Sequence, residues 1–386
     1  MNFTETEQQR DLRAAVAQLG RRYGFAYANA RARRHEPLRE LWQETGKLGF
    51  TGVNLPVEYG GGGGGMYELA IVQEELSAAG CGLLMLVVSP AICGTVISRY
   101  GTEQQKQRWL PGIADGSAIM AFGITESEAG SNSHRITTTA RRDGGDWVLS
   151  GSKVYISGVD QANHVLIVGR TEDTRTGRLK PVLFAVPTDA PGFRASPIDM
   201  DVVMAERQFG IVLDGVRLPA EALIGEEDAA LAQLFAGLNP ERIMASALAV
   251  GIGRYALERA VDYAKQRSVF GGAPIATHQG VAHPLAQIAI EVELARLMMQ
   301  KAAGLYDAGD DTGAAEAANM AKYAAAEASI RAVDQALQTH GGNGLASEYG
   351  LATLLAAARV ARIAPVSREM ILNFVAQSTL GMPKSY

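Results

Sequence analysis

The chain has 386 residues, of which 47% are hydrophobic and 20% are charged, and its formal net charge is −5 at pH 7. This length exceeds the roughly 250–300 residues at which one hydrophobic core stops growing, so we expect two or three packed units. The negative charge argues against nucleic acid as a partner, because nucleic acid attracts basic surfaces, and Cys81 and Cys93 are predicted to be buried thiols rather than metal ligands.

Residues 1–117 have the composition of a helical domain. Four segments are rich in helix-forming residues: 5–32, 38–48, 66–79 and 102–114. Six consecutive glycines, Gly60–Gly65, either flex or let another segment approach the backbone closely, and we favour flexibility.

No membrane span or signal peptide is expected from this sequence. The first residues are polar and acidic, whereas a signal peptide begins with a basic end and an apolar run. The longest apolar stretch, 83–97, is interrupted by Pro90 and falls short of the ~20 residues that a span needs, so it predicts a buried helix pair. We therefore expect a soluble, cytoplasmic protein.

Residues 118–227 change to short β-type runs separated by turn residues. The runs 164–169, 181–187 and 209–213 predict strands of a small antiparallel sheet domain. Two further runs, 147–150 and 154–157, flank Gly151 and Ser152 and so predict a hairpin.

Residues 228–386 return to a helical pattern. Asn239 and Pro240 predict either the start of a long helix or a kink within it. The remaining predicted helices are 283–308, 312–339 and 351–375, the last interrupted at Pro365.

Two motifs point to functions that the sequence does not support. Gly251–Ala256 matches the dinucleotide pattern G-x-G-x-x-A, but it lies inside a helical pattern instead of following a strand, which argues against a nicotinamide site. His278 and His283 are five residues apart, which does not place two ligands on one helix face, so no metal site is predicted.

Four segments together resemble the acyl-CoA dehydrogenase family, in the order that the family has them. They are Ala121–Asn132, Gly151–Gly158, Glu258–Gln279 and Gln338–Leu345, with a weaker fifth at Asp214–Asp228. The resemblance implies an N-terminal helical domain, a small antiparallel β-barrel domain and a C-terminal four-helix bundle. It also implies bound FAD, an acyl-CoA substrate, a homotetramer, and an electron-transferring flavoprotein as electron acceptor.

The resemblance also implies which residues contact FAD. They are Phe122, Ile124, Thr125, Gly130, Ser131, Tyr155, Ser157, Arg267, Phe270, Gln279, Gln338, Gly341 and Gly342. Within this set, Tyr155 corresponds to the aromatic ring that stacks on the flavin and Ser157 to the hydroxyl near flavin N5. Arg267 supplies a positive charge for the pyrophosphate, and Phe270 and Gln279 correspond to contacts with the adenine end across a subunit interface. Gln338, Gly341 and Gly342 correspond to the segment that meets the neighbouring subunit's FAD.

Removing a proton α to a thioester requires a carboxylate held against that carbon. Many family members carry this glutamate in a C-terminal segment reading E-G-T, which the corresponding stretch 361–372 lacks. Another branch, including isovaleryl-type and long-chain enzymes, carries it immediately before an arginine, as in Glu241–Arg242 here. Glu241 is therefore the predicted base and Glu369 the reserve. The residues implied in substrate binding are Ser131, Asn239 and Arg242.

We expect Glu241 to be ionised, because a helix start and Arg242 both favour its negative charge. A bound acyl chain would then raise its pKa towards the working pH. Ala245, Leu248 and Ile252 follow on the same helix face and are predicted to line an acyl pocket. Two alternatives stay open: a flavin monooxygenase or oxidase of the same fold, and a non-catalytic relative.

Overall fold

The structure, a computed structural model, describes residues 4–173, 177, 179–227 and 230–384. A helical region, one β-sheet and a second helical region follow each other along the chain, which confirms the predicted order. Asp228, where we expected the second helical region to begin, lies outside the described residues.

The N-terminal helices are α1 (Glu7–Ala32), α2 (Arg39–Lys47), α3 (Met66–Ala78), α4 (Leu84–Leu86), α5 (Thr95–Tyr100) and α6 (Glu103–Ala114). Thr6 and Thr102 begin α1 and α6 with capping boxes, in which the threonine side chain accepts from a backbone N–H of the first turn. A π-helix, Val87–Gly94, joins α4 to α5 around Pro90. The predicted helix pair is therefore one continuous buried helix.

The glycine run Gly60–Gly65 is packed tightly, so the expectation of a flexible loop is wrong. Three of its glycines donate backbone hydrogen bonds of 2.8–2.9 Å to the segment 52–55. A Cβ atom on Gly61 would lie 2.2 Å from the carbonyl oxygen of Leu55. Glycine is required here because another stretch of backbone occupies the space that side chains would need.

The sheet has eight strands: β1 (Met120–Gly123), β2 (Thr139–Asp143), β3 (Asp146–Ser157), β4 (His164–Glu172), β5 (Leu179–Pro187), β6 (Phe193–Ile198), β7 (Gln208–Leu218) and β8 (Leu223–Ile224). They form a curled sheet in the order β6-β7-β3-β2-β4-β5-β8, with β1 beside β4. Neighbouring strands are antiparallel, except that β1 and β2 run parallel to β4.

The predicted hairpin at Gly151 is wrong, because β3 continues through that residue as a single strand. Its pairing with β7 shifts register between Leu149 and Gly151, which is a bulge and not a turn. The hairpin turn is at Gly144 and Gly145 instead, between β2 and β3.

The C-terminal helices are α7 (Ala230–Gln266), α8 (Gln279–Asp307), α9 (Asp311–His340), α10 (Gly342–Leu345), α11 (Leu351–Ile363) and α12 (Arg368–Phe374). Helices α7, α8, α9 and α11 pack around an alanine-rich core, which is the predicted four-helix bundle.

Helix α7 begins at Ala230, so a helix start at Asn239 and Pro240 is wrong. Pro240 lacks an N–H and cannot donate to the carbonyl of Ala236, four residues earlier. The hydroxyl of Tyr306 on α8 donates to that carbonyl instead, at 3.1 Å. A neighbouring helix thus supplies the hydrogen bond that the proline removes.

A buried ion network fastens the N-terminal helices to the bundle. Glu74 on α3 accepts from Arg13 on α1 at 3.1 Å and lies 2.9 Å from Nε of Arg296 on α8. Glu75 accepts from Arg254 on α7 at 2.7 Å. This network holds α7, which carries the predicted base, against the N-terminal helices.

Candidate active site

Glu241 lies well inside α7, about three turns after the helix begins. Its side chain is half-buried, and burial raises its pKa to about 7, although the positive charges of Arg242 and Lys322 act in the opposite direction. The expectation of a low pKa at a helix start is therefore wrong. The fold itself, without a bound acyl chain, already brings the pKa of this carboxyl group near neutral pH.

The surroundings of Glu241 come from three elements. Cys93 of the π-helix is fully buried, and the charge of Glu241 adds to the burial that raises the pKa of the Cys93 thiol. Lys322 approaches from α9. Along α7, Ala245, Leu248 and Ile252 are half-buried like Glu241, whereas the residues between them are mostly buried. These four residues therefore form a partly exposed stripe along one face of α7.

The reserve base, Glu369, lies in the first turn of α12 and is exposed. Its charge and that of Glu241 both act on the ammonium group of Lys322. The two candidate carboxylates therefore lie near the same cation, although one is on α7 and the other is more than a hundred residues later in the chain. Glu241 is the more buried of the two, and this burial raises its pKa.

The two candidate substrate residues on α7 differ in how they are held. Asn239 is buried, and its Nδ2 lies 3.5 Å from the carbonyl of Asp311, at the start of α9. Arg242 donates through Nη1 to the carbonyl of Leu238 at 2.9 Å. Its buried Nε has no hydrogen-bond partner among the described residues. Arg242 therefore keeps donor capacity for a further group.

The loop after β1 is fixed to β3 by backbone and side-chain hydrogen bonds. Val154 N–H donates to the carbonyl of Thr125 at 3.0 Å, and Lys153 Nζ donates to the carbonyl of Ile124 at 3.1 Å. Phe122 is buried at the end of β1, whereas Gly130 and Ser131 are exposed further along the loop. The loop candidates and the β3 candidates are thus brought together.

Sequence reasoning missed the ion pair that builds this loop. Glu126 is buried and accepts from Lys153 Nζ at 2.8 Å, and also from the backbone and hydroxyl groups of Thr137 and Thr138. Burial alone would raise the Glu126 pKa, but these hydrogen bonds lower it to about 2. The sequence signal that could have revealed this ion pair is Lys153, a charged residue two positions before Tyr155 on the same strand.

Tyr155 and Ser157 lie at the end of β3, where Tyr155 is unusually exposed. Tyr155 has a left-handed backbone, φ 57°, and 59% of the residue is exposed. A bulky residue rarely adopts this conformation, which costs about 1–2 kcal/mol. Ser157 Oγ is 3.1 Å from Gln208 Oε1. The strain turns an aromatic ring outward from a strand that would otherwise bury it.

The other candidates cluster at one end of the bundle, where α7 and α9 end and α8 begins. They are all exposed: Arg267, Phe270, Gln279, Gln338, Gly341 and Gly342. The ring of Tyr263 near the end of α7 stacks on His340 at the end of α9, with centroids 4.1 Å apart. Phe270 is fully exposed and, like Tyr155, has a left-handed backbone, φ 50°.

The chain is similar to known proteins over its whole length. Profiles described as acyl-CoA dehydrogenase N-terminal, middle and C-terminal domains match residues 6–117, 121–215 and 231–380. Acyl-CoA dehydrogenase FadE12 of Mycobacterium tuberculosis (strain ATCC 25618 / H37Rv) is 67% identical over 385 residues, covering 100% of this chain and 99% of the relative. The chain belongs to the acyl-CoA dehydrogenase family.

Solved structures of acyl-CoA dehydrogenases share the whole fold. A glutaryl-coenzyme A dehydrogenase in complex with glutaryl-CoA is 29% identical, with a TM-score of 0.94, over 100% of this chain and 98% of that one. A glutaryl-CoA dehydrogenase of Mycobacterium smegmatis in complex with FADH2 is 29% identical, with a TM-score of 0.90, over 99% and 96%.

FAD is the cofactor of the acyl-CoA dehydrogenase family, and the residues of this chain fit it. The exposed ring of Tyr155 offers a flat surface held outward by its backbone. Arg267 offers an exposed positive charge directly after α7, suited to a pyrophosphate. The exposed Phe270 ring lies in the same segment.

Two further findings concern the residues that the structure describes. Within 4–173, 177, 179–227 and 230–384, no group of histidine, cysteine, aspartate and glutamate side chains could hold a metal ion. In the same part of the chain, no helix is long and apolar enough to cross a membrane.

Proposed function

We propose that Glu241 is the base with which this acyl-CoA dehydrogenase removes the α proton of an acyl thioester. The observation that carries the proposal is the position of Glu241 at the head of the half-open stripe of α7, with a pKa raised by burial to about 7. A base whose pKa lies near the working pH accepts a proton efficiently and releases it again afterwards.

The reaction divides between the cofactor and the chain. FAD, when bound, supplies the acceptor for the hydride that leaves the β carbon. Glu241 accepts the α proton, and the product is a trans-2-enoyl-CoA. Ala245, Leu248 and Ile252 exclude water from the acyl chain on the same helix face, while Arg242 offers its free Nε to the coenzyme A arm.

The base assignment is tested by the pair Glu241→Gln and Glu369→Gln in the FAD-loaded enzyme. Glutamine keeps the size of the side chain but cannot accept the proton, so we expect Glu241→Gln to lower kcat by at least about 10³-fold. Glu369→Gln serves as the control and should stay within about threefold of wild type. The reverse pattern would move the base to α12.

The substrate class is tested by anaerobic titration of the purified enzyme with short, branched, long and ring-bearing acyl-CoA thioesters. Bleaching of the oxidised flavin absorbance by some of these thioesters would identify the acyl group that the pocket accepts. A flavin that no thioester bleaches would favour the monooxygenase or oxidase alternative, and reduced flavin with oxygen would be tried next.

Three further assignments belong to the proposal and rest on resemblance to the family. Electron-transferring flavoprotein is the proposed electron acceptor, a homotetramer is the proposed assembly, and the cytoplasm is the proposed compartment. The exposed bundle-end residues, among them Phe270 and Gly341, support an assembly in which another subunit covers them. Size-exclusion chromatography with light scattering tests the assembly.

A further inference from the structure

Lys322 is a buried lysine whose hydrogen-bond partner is a backbone carbonyl. It lies on α9 with 2% of the residue exposed, and its Nζ donates to the carbonyl of Val366 at 2.5 Å. Lysine is almost never fully buried unless it is paired with an opposite charge. Burial lowers the Lys322 pKa to about 8, in spite of the surrounding carboxylates. Such a costly group requires an explanation in terms of function.

The carbonyl that Lys322 binds belongs to the segment between α11 and α12. The helix ends on either side of this segment are tethered to α9 as well, through Glu327, which accepts from Arg362 of α11 at 2.6 Å and lies 3.6 Å from Nε of Arg368, the first residue of α12. Glu327 and Lys322 are five residues apart on α9. Their contacts together hold residues 362–368 in place. Of the two, Lys322 also acts on the proposed base through its positive charge.

The charged groups around Lys322 come from three elements. The charges of Glu241 and Arg242 on α7, of Glu369 on α12 and of Glu327 on α9 itself act on the ammonium group of Lys322. Around Glu241, the neighbouring titratable groups are Arg242, Lys322 and the thiol of Cys93 on the π-helix. Lys322 is therefore the cation that connects the proposed base with the C-terminal segment.

We propose that Lys322 is a positioning residue that stabilises the ionised form of Glu241 while it anchors residues 362–368 beside the base. The proposal rests on the assignment of Glu241 as the base. The hydrogen bond to Val366 fixes where the ammonium group stands, so the C-terminal segment determines how strongly Glu241 holds its proton. A segment that carries no E-G-T glutamate in this chain thus still acts on the reaction, through Lys322.

The test compares the pH dependence of kcat/KM for the FAD-loaded wild type, Lys322→Met, Lys322→Arg and Glu327→Gln. Loss of the ammonium charge makes ionisation of Glu241 harder, so the acid limb of Lys322→Met should move to higher pH. We expect the ratio of kcat/KM at about pH 9 to kcat/KM at about pH 6 to rise about tenfold, the effect of removing one nearby opposite charge.

The other variants separate charge from tethering. Lys322→Arg keeps the charge and should keep the wild-type acid limb. Glu327→Gln loosens the same segment without removing the cation, so it should change KM and leave the limb in place. An acid limb that stays unmoved in Lys322→Met, or that moves equally in Glu327→Gln, would overturn the proposal. If Lys322→Met does not fold, Lys322→Gln carries the same expectation, because glutamine also lacks the charge but is polar.

A second readout does not depend on turnover. In the infrared spectrum, the band of a protonated carboxyl group that is absent from Glu241→Gln belongs to Glu241. This band disappears as the pH rises, and in Lys322→Met it should disappear at a higher pH than in wild type. A fully active Glu241→Gln would refute the proposed base. An inactive Glu241→Gln, combined with an unmoved band in Lys322→Met, would refute only the role of Lys322.

Discussion

Lys153 and Glu126 form a buried ion pair, with Nζ 2.8 Å from Oε1, that ties β3 to the loop after β1. Lys153 belongs to the strand that carries Tyr155, and Glu126 directly follows Ile124 and Thr125. The pair therefore joins two of the sequence segments that carry the family resemblance. Its loss should lower flavin binding, although neither residue is among the proposed flavin contacts.

Lys153→Met leaves the carboxylate of Glu126 buried without its cation, which typically destabilises a protein by about 3–5 kcal/mol. We expect a lower Tm and a lower ratio of flavin to protein absorbance after purification. The double variant Glu126→Gln/Lys153→Met removes the uncompensated charge and should recover part of the Tm. A single variant with wild-type Tm and flavin content would contradict the role of the pair.

The variant Tyr155→Gly tests whether the Tyr155 ring serves FAD binding and not the stability of the protein. The substitution removes an exposed ring from a residue with φ 57°, so the protein freed of FAD should be as stable as wild type or more stable, by about 1 kcal/mol. Its affinity for added FAD should fall by about fivefold or more, because base-like rings stack on aromatic side chains with about 1–3 kcal/mol. Fluorescence titration with FAD measures the affinity, and thermal unfolding measures the stability.

Val57→Ala provides the control, since Val57 is also an exposed apolar residue but lies in the N-terminal region. It should leave FAD affinity unchanged. If Tyr155→Gly bound FAD as wild type does, the stacking assignment would be wrong.

The sequence predicted the order of helices and strands well because the spacing of hydrophobic residues and the local composition depend on local structure. The limits of α3 and α9 were predicted to within a residue or so. The start of α7 was not, because a proline normally marks a helix boundary. Pro240 is tolerated inside the helix because Tyr306, 66 positions further along the chain, donates to the carbonyl of Ala236. No local sequence pattern indicates that contact.

Candidate site residues were recognised from motifs, whereas their environments depend on residues far away in the sequence. The raised pKa of Glu241 results from packing by the π-helix and α9, and sequence position alone suggested the opposite direction. The outward turn of Tyr155 likewise depends on a left-handed backbone in a strand where alternation favours burial. Glu126 and Lys153 were visible as residues, but their pairing required the fold.

Tyr306→Phe should show how much the proline inside α7 depends on its neighbour. The variant removes the hydroxyl that donates to the carbonyl of Ala236 and leaves that buried acceptor unsatisfied, which costs about 1–3 kcal/mol. The phenylalanine ring still packs under Arg99, so the cation–π contact is kept. Denaturant unfolding at one pH measures the loss.

Pro240→Ala supplies the matched control in a double-mutant cycle. Alanine restores the N–H that can donate to Ala236, so Tyr306→Phe should cost less in the Pro240→Ala background than in wild type. Equal costs in both backgrounds would show that the hydroxyl of Tyr306 does not compensate for the proline.

Glu206 makes the stability of the enzyme depend on pH, independently of the proposed base. It lies between β6 and β7, is buried, and accepts from the backbone N–H of Leu84 at the start of α4, at 3.2 Å. Burial raises its pKa to about 7 from an ordinary 4.5, and the charge of Asp160 acts in the same direction. The folded state therefore holds this proton more strongly than the unfolded state does.

The sign of the effect follows from proton binding. Between about pH 4.5 and about pH 7 the folded chain binds more protons at Glu206 than the unfolded chain, so its contribution to the free energy of unfolding falls as the pH rises. Above about pH 7, the contribution of Glu206 to the free energy of unfolding has fallen by a total of about 3 kcal/mol. Glu206→Gln can still accept from Leu84 but has no proton to lose. The Tm of this variant relative to wild type should therefore rise between about pH 5 and about pH 8, whereas the exposed Glu58→Gln should follow wild type at both values. Parallel curves for Glu206→Gln and wild type would mean that the carboxyl group ionises in the folded protein as readily as in the unfolded chain.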